Sequence, residues 1–522
     1  MRSGQSALEH FVDTGWHEGH RPSAVFDFCL QFFREREPGP DRLSGNPFSG
    51  FFCPRFAPLA NPDAERPIRF DEAVKPEVSI VIPAFGPVSY TLACLRSLSQ
   101  AETAVSFEVI LVDDGVEKLG ADSLAAIENL VLVRNTRNLG FLGSCNRGAK
   151  EAKAEKIVFL NNDTLVTDRW LDELLASFAE FPSTGIVGSR LLHGNGRLQE
   201  AGSLVWANGI ASNRGFGEDA ADPRFAYARP VDYVSAASLM IERTVFEELE
   251  GFDEAFLPAF YEDTDLAFRV REAGGEVLCQ PASSVIHFGG RSYGLHLAAG
   301  GKTYQEGNRE FFAQRWNQVL EDRPEWNPDV RNDHSIGTRG SILVMDATLL
   351  TPDQDSGSLR MQNLLRTLRR MRFDVTFLPG DLSSQERYVR DLERLGVRVA
   401  CPPFCESVER FLETEGSRFD ACILSRPQVG ERWIKTVRMY CSRAAIFYDT
   451  VDLHFLRRER ELAVRGTSQV SQEEVNWELR SCRSADGVIV VSDFDRRSLM
   501  RVDPKIKTHI VSNIHEVHSS KM

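Results

Sequence analysis

VFLNNDTLV, residues 158–166, is an apolar run that stops on two amides and a carboxylate, Asn161, Asn162 and Asp163. With Lys156 and Ile157 before it the stretch reads as a buried strand, and polar groups left unpaired in an apolar setting cost several kcal/mol. A strand that ends this way predicts partners for those groups at its end. Two further polar clusters stand at similar edges: Asp113 and Asp114 in FEVILVDDG (107–115), and Glu262 and Asp263 in FYEDTDL (260–266). Around them, apolar runs such as VSIVIPAF (78–85), LVLVRN (130–135) and KIVFLNND (156–163) alternate with helical patterns such as TLACLRSLSQ (91–100). That alternation implies an α/β domain with a largely parallel sheet covered on both faces. In DRWLDELLASF (168–178), Leu171, Leu174, Leu175 and Phe178 recur at helical spacing, with Asp168 placed as the N-cap. Ligands of open parallel sheets bind beyond the carboxyl ends of the strands, and all three polar clusters are expected there.

At 522 residues the chain is too long for one core, so two or three domains are expected. The boundaries fall at an N-terminal arm (1–74), a first α/β domain (75–318), a polar, turn-rich linker (319–338) and a second α/β domain (339–522). The second domain carries SILVMDATLL (341–350), DVTFLPG (374–380), FDACILS (419–425), AAIFYDTV (444–451) and ADGVIVVS (485–492) as strands. A formal net charge of −14 argues against a nucleic-acid partner. No stretch approaches the roughly 18 to 20 apolar residues of a membrane span, and MRSGQSALEHFVDTGW (1–16) lacks the apolar core of a secretory signal. A cytoplasmic protein is expected, and peripheral association with the inner face of a membrane is compatible with it. The ten cysteines are scattered singly, as reduced buried thiols would be; Cys401 and Cys405 have no second pair at zinc-ligand spacing. His10, His17 and His20 in the arm read as surface residues.

A divalent cation that holds a diphosphate needs only one or two protein carboxylates, because phosphate oxygens and water complete its shell. Asp163 suits that part, and a second carboxylate facing the reacting centre, Asp263, suits a general base. Plainer readings stand beside these. Asp113-Asp114-Gly115 also makes a good turn, and Glu262 or Asp263 could cap the helix that ends at Gly274-Gly275, where the helix dipole would lower a carboxyl pKa. His287 could be a structural histidine, and Trp206 and Tyr233 could stack on a sugar or pack in the core.

VSIVIPAFG (78–86), VILVDDG (109–115), RNTRNLGFLGSCNRG (134–148), FLNNDT (159–164), YEDTDLAFRVREAGG (261–275) and VIHFGGRS (285–292) together resemble the ordered motifs of family 2 inverting glycosyltransferases, in the rhamnosyltransferase-like branch of the GT-A fold. The likeness runs from about residue 76 to 316. It implies a nucleotide-diphospho-sugar donor and a glycan or lipid-linked saccharide acceptor in bacterial surface polysaccharide synthesis. It implies that Pro83, Ala84, Phe85, Asp113 and Asp114 hold base and ribose, with Asn138, Gly140 and Asn162 counted among the nucleotide-binding positions. Asp163 would bind Mg2+ or Mn2+, His287 would be a further metal or diphosphate ligand, and Asp263 would be the catalytic base. Asn161 stands where the family's Asp-x-Asp motif has its first Asp, which removes one negative charge from the cation site.

TPDQDSGSLRMQNLLRTLRRMRFDVTFLP (351–379) and FYDTVDLHFLRRERE (447–461) resemble the N-terminal half of family 4 GT-B transferases, a Rossmann-like half domain with Gly357 near a helix start where it could meet an anion. The other half of such an enzyme is not in the sequence given, so two expectations stand for this domain, incomplete as a catalyst by itself: an acceptor-binding or docking module, or part of a fragment of a longer protein. A non-catalytic glycan-binding or scaffold protein built from transferase folds is the alternative. A nucleotidyltransferase would show a Gly-rich triphosphate loop with a nearby Lys after the first strand, and IPAFGPVSY (82–90) has neither.

Overall fold

The computed structural model of the protein describes residues 67–116, 124–289, 294–326, 337–465 and 472–513. The expectations for residues 1–66, with His10, His17 and His20, lie outside the described residues. The chain divides into two units, the first Met1–Phe225 with Arg229–Ile336, the second Ala226–Ala228 with Gly337–Met522.

In the first unit, β1 (Val78–Gly86), β2 (Phe107–Val116), β3 (Leu130–Arg134), β4 (Lys156–Leu160), β5 (Thr164–Val166), β6 (Thr184–Leu192), β7 (Leu198–Glu200), β10 (Arg229–Pro230), β11 (Ser238–Glu242) and β12 (Glu276–His287) form one sheet. The short β8 (Ser203–Val205) and β9 (Ala211–Asn213) pair with each other. The main order is β10-β12-β6-β11-β4-β1-β2-β3, with β5 on β12 and β7 on β6. The helices α1 (Val88–Gln100), α2 (Gly140–Ala149), α3 (Trp170–Glu180), α4 (Glu262–Glu272) and α5 (Gly294–Arg315) belong to this unit. β1 and β4 are buried along nearly their whole length, as their unbroken apolar sequences require of strands covered on two faces. One core gathers Val81, Ile110, Phe159 and Phe252, and another gathers Ile80, Leu111, Val158 and Trp170. Adjacent residues along each strand thus point into different cores. α2 lies close on the sheet at Gly148, where a Cβ would stand 2.4 Å from Val81 and 2.8 Å from Val112.

Two expectations change. The sheet is mixed: β3, β2, β1 and β4 run parallel, but β11 runs antiparallel to both β4 and β6. The reason is local, since the chain reaches β11 at the carboxyl edge, where Asn161 N donates to Ala237 O at 3.1 Å, and must run backwards from there. Asp168 is not an N-cap. α3 begins after Arg169, which takes a left-handed φ of 60°, and the Asp168 carboxylate instead accepts from Glu102 N at 2.9 Å. The helical face itself is as spaced: Leu171 and Leu174 are buried, with Leu175 and Phe178 packed against the same core.

The second unit holds seven parallel strands in the order β15-β14-β13-β16-β17-β18-β19: β13 (Ser341–Asp346), β14 (Asp374–Pro379), β15 (Val397–Val399), β16 (Ala421–Ser425), β17 (Ala445–Asp449), β18 (Gly487–Val490) and β19 (Thr508–Ile510). The five expected strands are present. β15 and β19, three residues each at the two edges, went unread because so short a run has no measurable period. α6 (Ser356–Arg370) follows β13, and its N-cap Asp355 accepts from Ser358 N at 2.9 Å. The eight cysteines among the described residues are all free and buried. Among the described residues no helix is long and apolar enough to cross a membrane.

Candidate functional site

The three residues that end β4 find partners of different kinds. Asn162 is buried, and its Nδ2 donates to Phe85 O at 3.2 Å and to Thr91 Oγ1 at 2.9 Å, tying the end of β4 to the end of β1 and to α1. Asn161 Nδ2 stands 3.2 Å from His287 Nε2. Asp163, buried like Asn162, has Oδ1 at 3.3 Å from the same imidazole nitrogen. His287 reaches this place because β12 pairs with β5, setting His287 opposite Thr164. Thus Asp163 and His287, 124 positions apart in the sequence numbering, meet at one strand edge.

The other ring nitrogen, His287 Nδ1, lies 3.0 Å from Gln199 Oε1. An amide oxygen only accepts, so Nδ1 carries a hydrogen, and in the neutral form with that tautomer the Nε2 lone pair is on the side of Asp163 and Asn161 Nδ2. Two electron-rich atoms 3.3 Å apart suit a cation between or beside them. The Asn161 Oδ1 atom next to them is buried with no hydrogen-bond partner. These residues fit a divalent cation whose remaining positions a diphosphate would fill. No group of three or more His, Cys, Asp or Glu is arranged for a metal among the described residues.

Asp263 lies at the start of α4, after a loop in which Phe260 and Tyr261 take left-handed φ values of 77° and 71°. Such backbone persists only where its surroundings hold it. Here Asn308 Nδ2 on α5 reaches Phe256 O, Ala259 O and Phe260 O at 2.9 to 3.0 Å, and Tyr261 Oη donates to Gly209 O at 2.9 Å. The N-cap is Tyr261, so neither Glu262 nor Asp263 is the cap. Asp263 Oδ1 accepts from Thr264 N at 2.7 Å and Oδ2 from Ala236 N at 3.2 Å. Burial nevertheless pushes its carboxyl above the ordinary aspartate value, the reverse of what a helix start alone would do. Burial also raises Glu262, with the charge of Asp263 adding to it.

A third carboxylate went unread. Glu200 on β7 is almost wholly buried, accepts from Ser235 N at 3.0 Å, and is pushed up to about 8, by burial first and with Asp263 among the further causes. The tripeptide Ser235–Ala237 is therefore a hub: Ser235 N serves Glu200, Ala236 N serves Asp263, and Ala237 O receives Asn161 N. It links the Asp263 side of the site to the Asp163 side. The one signal in the sequence was a carboxylate in LQEAGSLVW (198–206), where Gln199 and Ser203 are the other polar side chains.

The remaining site positions divide by exposure. Pro83 and Ala84 are buried in β1, opposite Val112 and Asp113. Phe85 is half-buried, its ring against Gly115 so closely that a Cβ there would lie 3.2 Å from it. Asp114 is buried and bound within the fold, accepting from Asn135 Nδ2 at 2.8 Å and Leu139 N at 2.7 Å. Asp113 is more open, accepts from Gly115 N at 3.1 Å and lies 3.8 Å from Arg134 Nε. Asn138 is exposed and accepts from Gly140 N at 2.8 Å. Gly140 has φ 71°, and a Cβ on it would stand 3.1 Å from Pro258 O, so the turn admits only glycine without strain. Trp206 is buried, its Nε1 donating to Ser212 Oγ at 2.8 Å, and Tyr233 belongs to the core. Both are packing residues.

Residues 79–229 match the model of glycosyl transferase family 2. The chain is 32% identical over 231 residues to O-antigen biosynthesis protein RfbC of Myxococcus xanthus, covering 42% of this chain and 18% of that protein. It is 25% identical over 253 residues to N-acetylglucosaminyl-diphospho-decaprenol L-rhamnosyltransferase of Mycobacterium tuberculosis, covering 42% of this chain and 80% of that protein. Among solved structures it is similar to GalNAc-T7 with UDP, GalNAc and Mn2+, at 18% identity and a TM-score of 0.35, covering 42% of this chain and 44% of that one. The chain spans less than a third of the length of two of the curated relatives it matches. The matched stretch takes in Asp163, Gln199 and Glu200 and stops before Asp263 and His287.

Proposed function

We propose that residues 75–318 are an inverting glycosyltransferase domain of the GT-A kind. It would move a sugar from a nucleotide-diphosphate donor to a hydroxyl of a glycan or lipid-linked acceptor, in the synthesis of a bacterial surface polysaccharide. The family 2 match and the likeness to an O-antigen protein and a rhamnosyltransferase support the class of reaction. The observation that carries the mechanism is the hub: Asp263 and the Asn161-Asp163-His287 edge are bound to one tripeptide at the carboxyl end of one sheet.

In this reading Asp163 and His287 hold Mg2+ or Mn2+, which when bound supplies the positive charge that offsets a departing diphosphate. Asp263 accepts the proton of the acceptor hydroxyl as that oxygen attacks the anomeric carbon in line, opposite the leaving group, so the configuration inverts. The raised pKa of Asp263 suits the part, because a stronger base takes a proton more readily near neutral pH. Phe85, Asp113 and Asn138, the more open positions of the nucleotide set, are the ones that can meet base and ribose directly. Pro83, Ala84, Asp114, Gly140 and Asn162 shape that pocket from within.

We read residues 319–338 as a linker and 339–522 as a half domain of the GT-B kind, which its seven parallel strands and following helices support. Its part would be to bind the acceptor or dock a partner. The protein would work in the cytoplasm, reaching lipid-linked acceptors at the membrane surface. The test is Asp263→Asn, assayed with the sugar nucleotide that most raises the melting temperature in a screen of UDP-, dTDP- and GDP-sugars with Mn2+. Transfer should fall by about 10²-fold to 10⁴-fold while the thermal shift persists. Unchanged turnover removes the base assignment.

A further inference from the structure

β7 contributes two side chains to the site, and Gln199 is the one that touches a candidate cation ligand. Its Oε1 lies 3.0 Å from His287 Nδ1, while His287 Nε2 lies 3.3 Å from Asp163 Oδ1. Neutral imidazole carries one hydrogen, and where it sits decides what the ring does here. With the hydrogen on Nδ1, held by Gln199, the Nε2 lone pair faces Asn161 Nδ2 at 3.2 Å and is offered to a cation that takes that donor's place. With the hydrogen on Nε2, the same 3.3 Å gap closes as a hydrogen bond from His287 to Asp163, and the two ligands satisfy each other instead of a cation. The segment after His287 passes close to the amide: Gly289 has φ 55°, and a Cβ there would stand 3.1 Å from Gln199 Nε2.

We propose that Gln199 is a positioning residue that selects the cation-binding tautomer of His287 and so prevents His287 and Asp163 from quenching each other. This rests on the reading of Asp163 and His287 as cation ligands. Gln199 touches neither the sugar nor the reacting atoms. It acts through the ring, as hydrogen-bonding partners of metal-bound histidines do.

The test measures Mn2+ binding to the full chain by the electron paramagnetic resonance of free Mn2+, with whichever of UDP, GDP or dTDP raises the melting temperature most. Gln199→Leu, which has no acceptor, should weaken Mn2+ binding by about 10-fold to 100-fold. Gln199→Glu, which keeps an acceptor for Nδ1–H, should restore it. In the His287→Ala background Gln199→Leu should cost nothing further, which a general packing defect would not reproduce. Equal Mn2+ binding by wild type and Gln199→Leu overturns the proposal, as does failure of Gln199→Glu to restore it if its melting temperature matches wild type. A wild type that binds no Mn2+ with any of the three nucleotides overturns the cation reading, and the proposal with it.

Discussion

The carboxyl edges of the two sheets both end in buried aspartates, yet they treat them in opposite ways. In the second unit, Arg426 Nε donates to Asp346 Oδ1 at 2.7 Å, and Arg360 donates to Asp449 Oδ2 at 2.8 Å with both side chains almost wholly buried. Each carboxylate there faces a guanidinium of the same unit, and burial still pushes Asp346 up to about 6 against the pull of Arg426. In the first unit Asp163 faces an imidazole, Asp263 is held by amides and a hydroxyl, and Glu200 is held by an amide. Neutral donors fix a carboxylate in place without cancelling its charge. A buried ion pair brings its own countercharge, whereas an edge of carboxylates held by neutral groups calls for an added cation or for retained protons. In the proposed function, that difference separates a self-paired strand edge from one that takes part in chemistry.

The contrast is strongest at Asp263. If its amide-held carboxylate is a working base, Asp263→Asn should lower kcat by about 10²-fold to 10⁴-fold with donor binding unchanged, read from steady-state transfer and a thermal-shift titration. On the second edge the loss should be one of stability. Arg360→Leu strands Asp449 in the interior with Ser425 Oγ at 3.2 Å as its remaining side-chain partner, and should cost about 3–5 kcal/mol in urea unfolding. A change well under 1 kcal/mol there would show that the pair is not the closure described.

Glu200 sharpens the comparison through pH. Its carboxyl is raised from an ordinary 4.5 to about 8, so the folded protein holds a proton that the unfolded chain gives up. The stability this contributes is complete below about pH 4.5 and is lost as the pH rises through 8. Glu200→Gln stays neutral throughout, so its stability relative to wild type should climb between pH 5 and 9, by at most about 1.4 kcal/mol per pH unit. Parallel pH–stability curves would contradict a buried, protonated Glu200. The smallest effect belongs outside both edges: Asp168→Ala loses an exposed bond to Glu102 N and should cost under about 1 kcal/mol.

Much of this was legible in the residues. The central strands of both sheets announced themselves because they are covered on two faces and so are largely apolar, as in IVFL before Asn161 and ILVM before Asp346. The polar clusters marked the strand ends for the same reason, since a carboxylate in an apolar run needs an explanation. What could not be read is what depends on non-local pairing. The reversal of β11 follows from where the chain re-enters the sheet. The hub at Ser235–Ala237 is made of backbone groups, which every residue carries. Asp168 failed as a cap because a single left-handed Arg169 moved the helix start. Glu200 and Gln199 gained their roles only when β7 met the loop before β11 and the end of β12.

If Asp163 and His287 together form a cation site that secures the donor's diphosphate, the melting-temperature shift that a nucleoside diphosphate produces in wild type should depend on Mn2+ and should be lost in Asp163→Asn while the unliganded melting temperature holds. An equal Mn2+-dependent shift in both proteins would contradict it.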